Sequence, residues 1–364
     1  MERAEMASLY FLHQISGVGN RTLWRIKKEW GSFQALIRAD HGALDRSFLP
    51  AAVVAGIKDG RQKDDPSLAL EQIEKEGIQI CTIEDEAYPA LLASIYDPPY
   101  LFYYRGHLEI GQRFCLGVVG ARTATVYGKV QARSLSRAIA CQGWVVVSGM
   151  ARGIDTEAHL GALEIGGNTI AVLGSGLKVV YPPENKDLYR RIYQAGLVIS
   201  EFPPLARPES GHFPQRNRTL AGLCRGVLVV EAKARSGALI TADFALDHGR
   251  DVFAVPGPIN SPASEGTNNL IRQGACLVTS IEDILTEYGI DNPSINKSGQ
   301  GGRLARKIEG EEEVLLNALG NDSLHRDVLQ RKLGWESGQL SARLLKLELE
   351  GMIRSLPGNH YIKT

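Results

Sequence analysis

Gln215–Gly257 reads QRNRTLAGLCRGVLVVEAKARSGALITADFALDHGRDVFAVPG, and this stretch decides the fold. Gly226–Val230 (GVLVV) and Asp251–Val255 (DVFAV) are apolar, β-branched runs of the kind that parallel sheets bury on both faces. Ala238–His248 between them has helical character, so the order strand, helix, strand predicts a βαβ crossover. Ligands of such sheets sit beyond the carboxyl ends of the strands. The loops Glu231–Gly237 and Pro256–Gly266 belong at that edge. The first of them, Glu-Ala-Lys-Ala-Arg-Ser-Gly, runs into a helix N-terminus whose free N–H groups and dipole favour an anion.

The same alternation extends outward. Strands are predicted at 116–119, 144–147, 169–173, 197–200, 226–230, 251–255 and 276–279, with helices at 126–141, 155–165, 185–194, 218–225, 238–248 and 268–273. Seven strands with intervening helices make an α/β domain, a Rossmann-like doubly wound and mostly parallel sheet with right-handed crossovers. A helix over 67–76 and a short strand over 78–82 extend its edge, followed by loops at Tyr88–Leu92 and Asp97–Tyr100.

Ahead of the sheet, residues 1–65 read as a small helical domain of the SAM or helix-hairpin-helix kind. Leu9, Leu12 and Ile15 lead into Ser16-Gly17-Val18-Gly19, and Leu23, Trp24, Ile26 and Trp30 follow at helical spacing. Either the glycine turn offers backbone N–H groups to a phosphate, with Arg21, Arg25 and Lys27 supplying charge, or it only separates two helices with solvated cations. The sheet domain spans 66–288. Residues 289–303 are a polar, Gly/Ser/Asn-rich linker. Residues 304–364, with helices at 311–319, 324–333 and 337–350 and a terminal hairpin turning at Pro357-Gly358-Asn359, predict a winged helix. Gln339, Arg343 and Lys346 on its third helix suit a duplex groove. Leu340, Leu344, Leu345, Leu347 and Leu349 mark that helix as core, and four acids within Glu309–Glu313 favour a partner-binding or regulatory module.

A chain of 364 residues holds two or three domains. Its 41 Lys and Arg balance 41 Asp and Glu, so any nucleic-acid site must be a local patch. Cys81, Cys115, Cys141, Cys224 and Cys276 are odd in number and lack Cys-x-x-Cys spacing, which suits free buried thiols better than zinc or disulfides. The first residues lack the apolar core of a signal peptide, and no run approaches 18 apolar residues. The expectation is a cytoplasmic protein with no membrane association, no metal and no cofactor.

Each strand is followed by a loop with something to offer an anion. Gly120-Ala121-Arg122-Thr123 follows the first strand, and Ser148–Asp155 (SGMARGID) the second. The glycines permit close backbone approach and the arginines supply planar forks for phosphate; Arg152 alternatively pairs with Asp155. Gly117-x-x-Gly120 does not complete a dinucleotide fingerprint, and no P-loop is present. Gly211–Arg218 (GHFPQRNR), just before a helix, sets Phe213 among Arg216, Asn217 and Arg218, either as a stacking platform for an unpaired base or as a Phe packed under the loop. His159 and His212, with Asp155, Glu201 and Glu231, would permit an acid–base pair, but no triad order stands out.

In order and spacing, GVVGAR (Gly117–Arg122), SGMARGIDTEAH (Ser148–His159), FPQRNRTLAGL (Phe213–Leu223), VVEAKARSGALITADFAL (Val229–Leu246) and GRDVFAVPG (Gly249–Gly257) resemble the DprA/Smf family of DNA-processing proteins. The resemblance covers Tyr88–Leu285. It implies a Rossmann-like domain that binds single-stranded DNA, protects it and loads RecA during natural transformation, working as a homodimer without enzymatic activity. The implied DNA-binding residues are Arg122, Arg152, Phe213, Arg216, Asn217, Arg218, Lys233 and the Ser236–Gly237 turn. The family's basic residue near Ser210 is absent, with Lys233 and Arg235 as its replacements. The enzymatic alternative is a nucleotide-monophosphate phosphoribohydrolase, resembling the lysine-decarboxylase-like enzymes with their PGGxGTxxE signature. Here Pro256-Gly257 and Gly266-Thr267 are separated, and Asn269 or Leu270 stands where the glutamate belongs.

Overall fold

The computed structural model describes residues 1–63, 65–290, 311–319, 324–349, 353–356 and 358–363. Met1–Ile290 forms one compact unit and Asp291–Thr364 a second. The predicted linker falls outside the described residues from 291 onward.

The first unit is built on nine strands: β1 (Gln79–Thr82), β2 (Leu101–Gly106), β3 (Cys115–Val119), β4 (Val145–Ser148), β5 (Thr169–Val172), β6 (Leu197–Ser200), β7 (Gly226–Val229), β8 (Asp251–Ala254) and β9 (Cys276–Leu277). Their order across the sheet is β1-β2-β6-β5-β4-β3-β7-β8-β9. The seven strands from β3 to β9 are parallel, as their apolar runs predict. β2, which follows the Pro98-Pro99 turn, is not among the strands the sequence predicts. It pairs antiparallel with both β1 and β6.

Alternation along the central strands divides the core. Cys115, Val119, Val227 and Val229 face the helices His212–Leu223 and Gly237–Asp247; Leu116, Val118, Leu228 and Val230 face Val126–Cys141 and Ile154–Glu164. Both faces are therefore dry, the requirement of a parallel sheet.

The amino-terminal helices Arg3–His13, Asn20–Trp30, Phe33–Arg38, His41–Asp45 and Ala51–Lys63 share a core with the sheet edge. Tyr100 makes edge contacts with Trp24 and Phe33, with ring centroids 5.1 and 5.2 Å apart. His13 is buried against the Tyr103 hydroxyl at 2.9 Å, and burial lowers its pKa to about 4. The boundary at 65/66 thus runs through one packed core. Three cysteines are buried as expected; Cys141 is exposed and Cys276 half-buried, at the end of a helix and on the edge strand. Among the described residues no helix is long and apolar enough to cross a membrane.

In the second unit the helices Glu311–Leu319, Arg326–Leu333 and Ser337–Leu349 pack on a sheet ordered β10-β12-β11, with β10 (Leu324–His325), β11 (Ile353–Leu356) and β12 (His360–Lys363). Leu324–His325 is a strand rather than the start of the second helix, because it pairs with β12 and His325 caps the helix behind it. Leu340, Leu344 and Leu347 are buried, whereas Leu345 is exposed. Arg343 and Lys346 reach the Glu312 carboxylate at 3.4 and 2.5 Å, so their charge is spent within the module.

Candidate nucleic-acid interface

β3 and β7 lie side by side, but the chain leaves β3 towards β4 and β7 towards β8, so the loops that follow them diverge. Such a switch point opens a crevice at the carboxyl edge. A cavity of about 470 Å³ lies there. Gly120–Thr123 forms one wall, Lys233–Gly237 the other, and Phe213, Arg216 and Asn217 rise from the helix His212–Leu223 as the floor.

Arg122, Lys233 and Arg235 stand exposed at the rim, and none has an ion pair among the described residues. The Arg122 guanidinium lies over the Phe213 ring, 4.7 Å from its centroid. Tyr181 brings a second aromatic 6.2 Å from Phe213, tilted by 52°.

Arg216, expected among the DNA-binding residues, is buried rather than standing at the rim. It is 5% exposed, donates from Nη1 to the Val172 carbonyl at 3.1 Å, and sits 3.9 Å from Asp155 Oδ2. Room for the guanidinium exists because residue 149 is glycine; a Cβ there would overlap Arg216 Nη1. Burial raises the Asp155 pKa and lowers that of Arg216, and each partner's charge opposes the other's shift. A buried pair of this kind costs desolvation to form and more to break. Gly153, with φ of 77°, turns the chain into the next helix where the Ala121 and Arg122 carbonyls leave no space for a Cβ.

The walls are tied together by Glu231, which is 2% exposed. Its carboxylate accepts the Thr125 N–H at 2.9 Å and the Thr125 hydroxyl at 2.5 Å, while its carbonyl accepts the Ala121 N–H at 2.8 Å. Ser236 caps the helix Gly237–Asp247 by accepting from Ala238 N–H at 3.3 Å. Asn217 donates to the Gly237 carbonyl at 3.3 Å, pinning that turn to the floor.

One cavity therefore gathers Arg122, Phe213, Arg216, Asn217, Lys233, Ser236 and Gly237. Arg152 lies at an adjoining hollow shared with Arg122, Tyr181 and Phe213, and its partner is Glu184 rather than Asp155. Arg218 is not brought to the crevice. The helix begins at His212, earlier than the predicted 218, and two residues of helix carry the chain about 200° round from Arg216. There Arg218 pairs with Asp97 at 3.1 Å and Glu201 at 2.9 Å. Tyr181 borders the adjoining hollow and is not among the sequence candidates. Its position after Gly174-Ser175-Gly176, beyond the carboxyl end of β5, was the available signal.

Among the described residues neither His159 nor His212 forms an ion pair with Asp155, Glu201 or Glu231; the acid near His212 is Glu209, at 3.9 Å. His159 is fully buried, its Nδ1 bonded to Thr169 Oγ1 at 2.7 Å, and burial lowers its pKa to about 3. His212 stacks on Phe202 at 3.9 Å. Where a phosphoribohydrolase carries its glutamate, Leu270 is buried in the core, and Asn268 bridges both backbone groups of Gly257 at 3.0 and 3.2 Å.

Fold and site together define a Rossmann-like sheet protein with a cationic crevice over an aromatic floor at its switch point. Residues 79–289 match the family model of DNA recombination-mediator protein A, and residues 303–359 match the DprA winged helix domain. The chain belongs to the DprA/Smf family. It is 34% identical to Protein Smf of Synechocystis over 395 residues, spanning 99% of each chain. It is 49% identical to DNA processing protein DprA of Streptococcus pneumoniae over 211 residues, 57% of this chain and 73% of that one. The X-ray structure of the pneumococcal DprA matches with a TM-score of 0.67 at 39% identity, covering 79% of this chain and 98% of that one. The Helicobacter pylori DprA structure, whose subject is a single-stranded DNA binding mode, matches with a TM-score of 0.53 at 30% identity over 58% of this chain and 95% of that one.

Proposed function

We propose that this chain binds single-stranded DNA in the crevice between the β3 and β7 loops, shields it, and passes it to a RecA-type recombinase during natural transformation and recombination. It acts in the cytoplasm as a homodimer and without catalysis. The observation that carries this reading is the set of three cations, Arg122, Lys233 and Arg235, that have no ion pair among the described residues and stand around the Phe213 floor. Cations on both walls suit a phosphodiester backbone, and a half-buried aromatic suits one unstacked base. The binding mode studied in the Helicobacter relative supports the same ligand. Arg216 acts from beneath, as a buried charge that holds the floor helix.

The test is the salt dependence of single-strand affinity. Each phosphate neutralised contributes about −0.7 to the slope of log affinity against log salt. Arg122→Ala and Lys233→Ala should each shallow the slope by about that share, while Arg218→Ala, whose charge is spent on Asp97 and Glu201, should leave it unchanged. A shallow slope unaffected by the rim substitutions, or free base released from a nucleoside monophosphate, would replace this reading with the phosphoribohydrolase alternative.

A further inference from the structure

The amino-terminal helices carry a second cationic, aromatic surface that the crevice does not use. Arg21, Trp24 and Lys28 from the helix Asn20–Trp30 line an open groove with Tyr96 and Pro98. Tyr96 is 98% exposed, and Trp24, although large and apolar, keeps 38% of its surface in solvent. Trp24 is fixed in place by its Nε1–H bond to the Pro98 carbonyl at 3.1 Å and by its edge contact with Tyr100. Of the neighbouring cations, Arg25 pairs with Glu29 and Lys27 with Glu84. Arg21 and Lys28 have no ion pair among the described residues, and the nearby Asp97 is held by Arg218.

This surface is joined to the crevice through one helix. His212–Leu223 presents Phe213, Arg216 and Asn217 to the crevice and turns Arg218 towards Asp97, which also accepts from Asn20 at 3.0 Å. The helix His212–Leu223 therefore touches the crevice through Phe213, Arg216 and Asn217 and the second surface through the Arg218–Asp97 pair.

We propose that the Arg21–Trp24–Lys28–Tyr96 surface is a second contact for single-stranded nucleic acid, engaged by strands long enough to leave the crevice and cross the helix His212–Leu223. A rigid indole and an exposed phenol beside two uncompensated cations are the elements of a sequence-tolerant single-strand platform: rings for base faces, cations for phosphates. The proposal extends the crevice reading, and its test separates the two.

The full chain is titrated with a labelled strand of about 6 nucleotides and one of about 30, the first within and the second beyond the roughly 4–16 nucleotides that one single-strand-binding fold occupies. The variants are Tyr96→Ala and Arg21→Ala/Lys28→Ala, none of which removes a hydrogen bond or ion pair among the described residues, with Arg122→Ala in parallel. Tyr96→Ala should weaken the long strand about five-fold or more and leave the short one unchanged. The double charge variant should shallow the long-strand salt slope by about 1.4. Unchanged long-strand binding in both variants overturns the second contact and leaves the crevice intact. Equal losses for both lengths also overturn it, because they mean the residues act on the crevice. Charge dependence without any effect of Tyr96→Ala would mean that the cations attract the strand with no base seated on the ring, and overturns the proposed contact as well. Failure of the crevice reading looks different: the unmodified protein binds neither strand, or Arg122→Ala changes neither.

Discussion

Adding one methyl group at residue 149 should disable the floor of the crevice from a distance. In Gly149→Ala the new Cβ occupies the position of Arg216 Nη1, so the guanidinium must leave. Arg216 then loses the Val172 carbonyl at 3.1 Å and its approach to Asp155 at 3.9 Å, and the buried Asp155 carboxylate keeps only backbone N–H donors, those of Ala151 and residue 149, with no ion pair among the described residues. Separating a buried ion pair costs about 3–5 kcal/mol. In a domain of this size that lowers the melting temperature by roughly 6–20 °C. The mechanism is specific enough for a thermodynamic cycle. If the methyl acts only by displacing Arg216, then Gly149→Ala/Arg216→Ala should be no less stable than Arg216→Ala alone, because the methyl now enters vacated space. Urea denaturation followed by circular dichroism measures all four proteins. Additive losses in the double variant, or a Gly149→Ala protein of unchanged stability, would refute the argument.

Two further outcomes are expected. Phe213→Ala should weaken single-strand binding by about 1–3 kcal/mol with a small change in melting temperature, since the ring is half-buried at the crevice floor; a core Phe would instead cost about 3–5 kcal/mol of stability. Below pH 6.5 the chain should lose stability through His13 and His159, whose folded pKa values are depressed to about 4 and about 3. Their contribution is complete above the unfolded value and is lost as pH falls towards the folded one, at about 1.4 kcal/mol per pH unit for each group. Asp155 and Glu201, with raised pKa values, work in the opposite sense at the acid end. His159→Gln should therefore reduce the slope of unfolding free energy against pH between 6.5 and 4, and an unchanged slope would show that His159 is not the buried neutral group described.

What could be read from the chain, and what could not, divides along a physical line. The seven parallel strands were legible because a strand buried on both faces must be an unbroken apolar run, and Val145–Val147 and Val227–Val230 are such runs. β2 was not, because its pairing is antiparallel with partners far away in the chain. The loops bearing Arg122 and Lys233 were legible as the carboxyl edge. The fates of Arg216 and Arg218 were not, since both depend on where one helix begins. His212 and Phe213 precede Pro214, and a proline in the first turn is compatible with a helix start as readily as with a loop. Glu231 reads in the sequence as one of the acids that would permit an acid–base pair; only the fold brings Thr125 to it.

That Glu231 tie gives the crevice the character of a caliper locked at one opening. The two jaws belong to chain segments more than a hundred residues apart, 106 by the Thr125–Glu231 separation, yet one carboxylate and one carbonyl hold both. Their spacing is settled while the protein folds, so little ordering would remain to oppose a strand bound there as proposed. It also means that a change at Glu231 reaches the Arg122 and Lys233 jaws together, and neither can be widened to admit a bulkier ligand without releasing the other.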